Sequence, residues 1–391
     1  MIGVGGPTIG IGVIGYAFMG RAHSQGWRGA RSFLRPALEP QLVALAGRDA
    51  DAVAEMARRF DWRHTETDWR ALVDRDDVDL VDICTPGDTH AEIAVAALAA
   101  GKHVLCEKPL ANSVAEAELM VEAAEKARAA GVRSMVGFTY RRVPAIALAR
   151  KLVAAGRIGD VRHVRAQYLQ DWLTDPREPL SWRLQAERAG SGALGDIGAH
   201  LVDLTQHITG EPITGVSATT STFVPERPLP EPNGHRTGKV TVDDAVAFLA
   251  RFTGGGLGTF EATRFATGRK NAIRIEINGS AGSLAFDFEE MNVLHFYDGS
   301  DPGESGGFTR ILVTEPDHPY VGAWWPPGHL LGYEHGFANQ AADLLNAIAD
   351  GVDPEPSFAD GLAVQRVLAA VQDSAAGSSA WTPVDRPAEV A

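Results

Sequence analysis

Apolar residues in the first part of the chain form short continuous runs that alternate with stretches of helical periodicity. Strands are predicted at 9–15, 41–47, 80–85, 103–106 and 134–138, and helices at 51–60, 91–100 and 114–130. Such alternation is typical of a parallel sheet with helices on both faces. We therefore predict an α/β class, with a doubly wound Rossmann domain over residues 1–142. Residues 27–40, which contain two prolines, are predicted to be a loop insertion.

The second half of the chain has a different pattern, in which apolar and polar residues alternate singly. Strands are predicted at 214–224, 244–252, 258–264, 272–278, 283–287 and 293–297, followed by helices near 334–349 and 358–374. This pattern indicates an antiparallel sheet with unlike faces. We predict an α+β domain over residues 143–391, built on a large open sheet that binds substrate. Because exposed sheet faces of this size are often covered by another subunit, we expect a homo-oligomer, either a dimer or a tetramer.

Composition narrows the class of protein. A chain of 391 residues can bury the cores of two domains. Its net charge of -14 argues against nucleic acid or an anionic membrane surface as a partner. The two cysteines, Cys84 and Cys106, fall in predicted buried strands, which suits a reducing, cytoplasmic location without disulfides. No uninterrupted apolar run reaches the length of a membrane span, and no signal peptide is recognised at the N-terminus.

A nucleotide-binding fingerprint follows the first strand. Gly15, Ala17 and Gly20 occupy the three small positions of G-x-G-x-x-G, with Phe18 and Met19 between the last two. The first glycine permits a tight turn, the third permits close helix packing, and the helix N-terminus faces a pyrophosphate. A plain strand–turn–helix is the alternative, but the alternating elements that follow favour binding of NAD or NADP.

The tip of the second strand leaves the choice between these cofactors open. An acid here usually holds the ribose 2′-hydroxyl of NAD, whereas a nearby arginine accommodates the 2′-phosphate of NADP. The sequence places Gly47 at the expected acid position and Arg48 after it, which favours NADP. Asp49 could still reach the ribose if the turn is one residue longer.

Lys108 lies just beyond a short apolar strand, between Glu107 and Pro109. A residue before proline favours extended backbone, so this lysine should point out from the end of the strand. Ligands of doubly wound sheets bind at the carboxyl ends of the strands. We therefore predict that Lys108 holds a substrate hydroxyl and lowers its pKa.

A second candidate cluster lies at 191–203, predicted to be a glycine-rich turn that continues as a helix. Asp196 and His200 are four residues apart, and thus on one helical face. A carboxylate that orients an imidazole suits a general base acting on an alcohol. The alternative is a carboxylate favoured by the helix dipole next to a partly buried histidine. No third ligand of suitable spacing is evident, so we expect no metal.

Four motifs, at 15–20, 84–90, 107–109 and 195–200, resemble in sequence and order the Gfo/Idh/MocA oxidoreductase family. The resemblance spans nearly the whole chain. It implies that Lys108, Asp196 and His200 are catalytic, and that the segment with Thr85, Pro86 and His90 lines the nicotinamide ribose.

Further segments, at 138–142, 168–172 and 180–183, resemble the levoglucosan and related pyranoside dehydrogenases of that family, which commonly oxidise the sugar C3 hydroxyl. The resemblance favours NAD and implies contacts to a sugar from Arg142, Gln170 and Trp172, and to the cofactor from Glu107, Lys108, Trp182 and Arg183. Three alternatives stay open: an inositol (cyclitol) dehydrogenase, a glycoside-cleaving enzyme that works through a 3-keto sugar, and a non-catalytic sugar or dinucleotide sensor.

Overall fold

The computed structural model describes residues 7–230, 236–300, 303–304 and 306–385. The chain divides into two compact units. The first unit holds the residues up to Arg142 together with Leu331–Leu362, and the second holds Val143–Leu330 together with the residues from Ala363 onward. Residues 331–362, assigned from the sequence to the second domain, thus group with the first unit.

The first part of the chain alternates strands and helices. The strands are β1 (Thr8–Ile14), β2 (Glu39–Ala46), β3 (His64–Glu66), β4 (Leu80–Ile83), β5 (His103–Cys106) and β6 (Ser134–Val136). The helices are α1 (Phe18–Gly29), α2 (Ala50–Phe60), α3 (Trp69–Val73), α4 (His90–Ala99) and α5 (Val114–Arg128).

The rest of the chain is mostly strand, with two long helices near its end. The helices are α6 (Pro144–Ala154), α7 (Ala186–Ala189), α8 (Ala199–Thr209), α9 (Tyr333–Asp350) and α10 (Phe358–Ala376). The strands are β7 (Val161–Leu169), β8 (Ile213–Ser221), β9 (Glu226–Pro228), β10 (Thr237–Lys239), β11 (Ala245–Phe252), β12 (Leu257–Thr263), β13 (Ala272–Gly279), β14 (Gly282–Asp287), β15 (Val293–Asp298), β16 (Thr309–Leu312) and β17 (Thr382–Pro383).

The sheet of the first unit has the order β3-β2-β1-β4-β5-β6, and all its pairs are parallel. This is the doubly wound order in which ligands bind at the carboxyl ends of the central strands. Ile11, Val13, Leu45 and Leu80 are fully buried in its core. The predicted Rossmann fold is confirmed.

The predicted loop at 27–40 is wrong. Helix α1 runs to Gly29 and continues as a π-helical turn over Ala30–Leu34. The buried side chains of Trp27 and Ala30 hold this segment against the core. Its prolines lie after the helical residues, at 36 and at the start of β2, where proline is tolerated.

The large sheet of the second unit has nine strands in the order β16-β15-β14-β13-β7-β12-β11-β8-β17. Every pair is antiparallel except that of β7 with β12, so the predicted open, mainly antiparallel sheet is confirmed. In β11 buried and more exposed residues alternate, with Phe248 and Phe252 on the buried side. The central strand β7 was not predicted from the sequence. Among the described residues, no helix is both long and apolar enough to cross a membrane.

Candidate active site

The loop after β1 is shaped by two glycines. Gly15 has a φ of 116°, a conformation that side chains rarely adopt. At Gly20 a Cβ atom would lie 2.0 Å from the carbonyl oxygen of Gly15, so α1 packs too close to the loop for any side chain. Ala17 precedes α1 and its side chain caps none of the first helical amides. Small residues and uncapped amides at this edge fit the pyrophosphate of a dinucleotide.

The first residues of α1 flank this loop. Phe18 is 54% exposed, and its ring stacks with that of Tyr333, the ring centroids 6.1 Å apart. Met19 is half-buried and packs against the core of the first unit. Phe18 therefore offers an apolar face to solvent, while Met19 supports the loop from within.

The tip of β2 combines a small residue with a helix cap. A Cβ at Gly47 would lie 2.2 Å from Cδ1 of Tyr16, so the tyrosine ring occupies the space of a longer side chain. Asp49 caps α2, and its Oδ1 accepts the backbone N–H groups of Asp51 and Ala52 at 3.1 Å each. Arg48, between Gly47 and Asp49 in the chain, is exposed. Gly47 thus has no carboxylate and no room for one, as the sequence indicated.

His90 joins the loops that follow β4 and β5. Its imidazole is buried, with Nε2 2.9 Å from the carbonyl oxygen of Thr85 and Nδ1 3.0 Å from that of Pro109. Pro86 immediately precedes a short helical turn that leads into α4. The structure therefore brings Thr85 and Pro86 to the same edge of the sheet as the segment that carries Lys108.

Lys108 follows the end of β5, as predicted. Its backbone N–H donates to Oε2 of Glu107 at 3.1 Å. The other carboxylate oxygen of Glu107, Oε1, lies 2.9 Å from Nε2 of His23. Glu107 is 4% exposed. Its carboxylate, expected from the resemblance to contact the cofactor, is bonded within the protein at both oxygens.

His23 continues this buried cluster toward β4. Its Nδ1 lies 2.9 Å from both carboxylate oxygens of Asp82, which also accepts the indole N–H of Trp27 at 2.8 Å. Burial by itself lowers the pKa of His23, but the charge and hydrogen bonding of Asp82, with a further contribution from Cys84, together outweigh burial and hold the pKa well above 6.5. Burial and the charge of Asp82 also raise the pKa of the Cys84 thiol.

Within the described residues, one group of side chains has ligand-type atoms close enough together for a metal ion. The atoms belong to His23, Asp82 and Cys84 and lie within 4.8 Å of one another. Both histidine nitrogens already contact carboxylates, and a thiol with a raised pKa is a poor source of the thiolate that metals bind. A hydrogen-bonded ion pair accounts for the cluster without a metal.

Asp196 lies on a π-helical turn, Leu194–Gly198, that precedes α8. Asp243 supports this turn by accepting the backbone N–H groups of Gly192 and Leu194, at 2.7 and 2.8 Å. Burial raises the pKa of Asp243, and these two bonds oppose the shift. Nη1 of the buried Arg264 lies 3.8 Å from the Asp196 carboxylate. The predicted glycine-rich turn that continues as a helix did not include this π-helical turn, and its residue spacing differs from the α-helical spacing that placed Asp196 and His200 on one face.

His200 is in the first turn of α8, 9% exposed, beside the ring of Tyr168 at 5.9 Å between centroids. The hydroxyl of Tyr168 donates to Oδ1 of Asn271 at 2.7 Å, and Nε2 of Gln170 donates to the same oxygen at 2.8 Å. Nε1 of Trp172 in turn donates to Oε1 of Gln170 at 2.9 Å.

The polar chain closes on Asp196, because the guanidinium of Arg264 lies 5.5 Å from the ring centroid of Trp172 and also pairs with the aspartate. We call this set the polar circuit: Tyr168, Gln170, Trp172, Asp196, His200, Arg264 and Asn271. Four of these residues, Gln170, Trp172, Asp196 and His200, were predicted from the sequence as site residues, and the other three were not.

A signal for the missed residues exists in the strand pattern. Tyr168 and Gln170 are two apart at the end of β7, and Asn271 immediately precedes the paired strand β13. Recognising β7 from its alternating residues would have placed Asn271 opposite Gln170.

Three other predicted site residues lie outside the polar circuit. Trp182 and Arg183 share a short helical turn of the second unit, where the guanidinium of Arg183 lies 4.5 Å from the Trp182 ring centroid. Arg142 is buried in the first unit and donates to the Asp343 carboxylate at 3.0 Å and to the carbonyl of Glu355. These partners hold Nε and Nη2 of the guanidinium, whereas the buried Nη1 has no hydrogen-bond partner among the described residues.

Comparison with known proteins gives the family. Residues 9–138 match the model of an oxidoreductase family with an NAD-binding Rossmann fold, and residues 146–285 match that of the GFO/IDH/MocA C-terminal domain. The levoglucosan dehydrogenase of Pseudarthrobacter phenanthrenivorans is 42% identical over 389 residues, which cover 96% of this chain and 98% of that protein.

Two examples from the solved structures that align with this chain cover nearly all of it. An oxidoreductase domain protein from Kribbella flavida aligns with a TM-score of 0.94 and 69% identity, covering 97% of this chain and 100% of that one. A levoglucosan dehydrogenase in complex with NADH and levoglucosan aligns with a TM-score of 0.92 and 41% identity over the same shares. With both halves matched in order, the chain belongs to the Gfo/Idh/MocA family of oxidoreductases, and its first unit has that family's NAD-binding Rossmann fold.

Proposed function

We propose that this protein is an NAD-dependent dehydrogenase that oxidises a ring hydroxyl, at C3, of a pyranose, an anhydrosugar or a glycoside. The observation that carries the proposal is the polar circuit, which includes His200. It combines an exposed tryptophan face with amide, phenol and guanidinium groups, and such a lining suits a polyol with apolar ring faces and polar edges. The similarity to a dehydrogenase that binds levoglucosan and NADH supports it.

The chemistry divides among three residues. His200 takes the proton of the reacting hydroxyl, and Asp196 orients the imidazole and stabilises its protonated form. Lys108 donates a hydrogen bond to the same oxygen and stabilises the charge that develops there. Bound NAD supplies the acceptor for the hydride that leaves the carbon, so that the alcohol becomes a ketone.

The test is nicotinamide reduction by the purified protein, with NAD and NADP assayed separately against levoglucosan, glucose, glucosides and inositols. We expect a signal with NAD and a pyranose, and a 3-keto sugar by NMR of the product. Reduction with inositols alone would assign a cyclitol dehydrogenase instead. A released aglycone would indicate glycoside cleavage, and dinucleotide binding without turnover on any member of the panel would favour a sensor.

We expect NAD to be preferred, with residual NADP use that depends on Arg48. Both cap bonds of Asp49 end on Oδ1, and its Oδ2 can accept the ribose 2′-hydroxyl of NAD. Replacing Arg48 by alanine should lower kcat/KM for NADP by about tenfold, the loss of one charge-assisted bond, and leave NAD unchanged. Arg58→Ala, an exposed arginine on α2, is the control. Equal loss with both cofactors would contradict this role.

Asn271 should set the affinity for the sugar. It is the common acceptor for Tyr168 and Gln170, so Asn271→Ala should release both side chains and raise KM for the sugar about tenfold, with little change in kcat. Asn278→Ala, near the other end of β13, is the matched control. If KM stays at its wild-type value, the circuit does not bind the sugar.

A further inference from the structure

A buried chain of hydrogen bonds leads from α1 and β4 to the backbone of Lys108. Asp82 is 0% exposed, His23 3% and Glu107 4%. His23 bonds Asp82 through Nδ1 and Glu107 through Nε2, all at 2.9 Å. The last link is the 3.1 Å bond from the Lys108 N–H to Glu107. The three buried groups therefore end at the residue proposed to bind the reacting oxygen.

The proton count of this cluster is constrained. Ionised carboxylates only accept hydrogen bonds, so an imidazole between two of them must donate at both nitrogens. Either His23 is an imidazolium between two carboxylates, or one carboxyl group holds a proton instead. In both cases the cluster carries one net negative charge inside the first unit. A buried ion pair contributes little net stability compared with apolar residues of the same shape, so stability alone gives a weak reason for it.

The carboxylate of Glu107 is held from several sides. One oxygen bonds His23 and the other bonds the Lys108 N–H. A Cβ at Gly137 would lie 2.7 Å from Oε1, so this glycine leaves the carboxylate its space. His23 is itself fixed by Asp82 and packs against the ring of Phe337, with centroids 5.2 Å apart. Such two-sided contact fixes the rotamer of Glu107, and with it the backbone at Lys108.

The other side of Lys108 is fixed as well. Nδ1 of His90 contacts the carbonyl of Pro109 at 3.0 Å, and Nε2 contacts Thr85. The lysine is thus framed by one anchored peptide before it and one after it. Anchors of this kind determine where a long, flexible ammonium side chain starts, and a shift of about 1 Å at a catalytic group can cost about a hundredfold in rate.

We propose that Glu107 is a positioning residue for Lys108, held in place by His23 and Asp82, and not a ligand of the cofactor. The proposal rests on the proposed function, since it assigns Lys108 to the reacting oxygen. The proposed role predicts that replacing Glu107 lowers kcat and leaves the affinity for the dinucleotide unchanged. The position of the side chain at 107 should matter more than its charge. A glutamine there can accept the Lys108 N–H with its carbonyl oxygen and donate its amide N–H to a neutral His23, so it should keep the same geometry.

The test compares Glu107→Ala with Glu107→Gln. Alanine removes the acceptor but leaves the His23–Asp82 pair, so the fold should persist. We expect Glu107→Ala to lower kcat by about a hundredfold with the sugar KM and the NADH Kd little changed, and Glu107→Gln to recover most of the rate. The control is Asp79→Ala. Asp79 lies just before β4, and its carboxylate also accepts a backbone N–H, that of Gly10, at 2.7 Å.

A second readout does not depend on turnover. Hydrogen exchange at the Lys108 amide, measured by residue-resolved mass spectrometry, should be faster in Glu107→Ala than in the wild type and restored in Glu107→Gln, with other amides of β5 unchanged. If exchange responds but no sugar is oxidised by the wild type, the proposed function fails and the anchor stands. An unchanged kcat in Glu107→Ala, or a loss confined to NADH affinity, overturns the positioning role.

Discussion

Replacing His200 by alanine is expected to lower kcat by about 10²- to 10⁴-fold, the usual contribution of a positioned general base. The variant loses the imidazole that takes the proton of the sugar hydroxyl. The Kd for NADH, measured by fluorescence titration, should stay at the wild-type value because the fingerprint loop belongs to the other unit. The polar circuit should persist in its other links, since those bonds do not involve His200.

The matched control is His207→Ala, a half-buried histidine later on the same helix α8, for which we expect near-normal turnover. Lys108→Ala should resemble His200→Ala in losing rate and keeping the dinucleotide. A His200→Ala enzyme with wild-type kcat would exclude His200 as the base, and a variant that also loses NADH would point to a disturbed fold.

The parallel sheet of the first unit was predictable because its strands are buried on both faces and read as continuous apolar runs. Ile9–Ile14 and Leu80–Ile83 are examples, and both lie in the sheet as expected. Strand β3 and helix α3 were missed because they have three and five residues, too few to show a period. A loop was wrongly predicted at 27–40 because of the two prolines there, whereas the buried Trp27 packs its first part into the core as a helix.

The candidate site was only partly predictable, because its support comes from distant parts of the chain. The π-turn at Asp196 depends on Asp243, which lies 47 positions later and accepts two of the amides at the start of the turn. Arg264 and Asn271 reach the site from residues that follow β12 and precede β13. Spacing within one segment cannot show such contacts. Strand β7 was missed because two exposed charged residues, Arg162 and Arg165, and a register shift near its start interrupt its apolar alternation.

Asp82→Ala is expected to destabilise the first unit by about 3–5 kcal/mol at pH 6, because it leaves His23 and the Trp27 indole buried without their common partner. Asp82 is fully buried, so bulk solvent does not reach the groups that lose the carboxylate. Native-state hydrogen exchange of the amides in β4 and β5 measures this free energy for the first unit alone. Asp79→Ala, at an exposed carboxylate just before β4, should cost much less.

The free energy of unfolding lost in Asp82→Ala should depend on pH, and the raised pKa of His23 determines the direction of this dependence. Above pH 6.5 the unfolded histidine releases its proton while the folded one keeps it, so the folded state binds more protons. The stabilisation by the His23–Asp82 pair is therefore complete below pH 6.5 and falls by about 1.4 kcal/mol per pH unit above it, until folded His23 also deprotonates. Without Asp82 the largest cause that raises the pKa is gone and the bond to Glu107 remains, so this slope should weaken. The free-energy gap between the wild type and Asp82→Ala should thus narrow from pH 6.5 to pH 8, and a gap that stays constant would mean that His23 carries no extra proton in the folded protein.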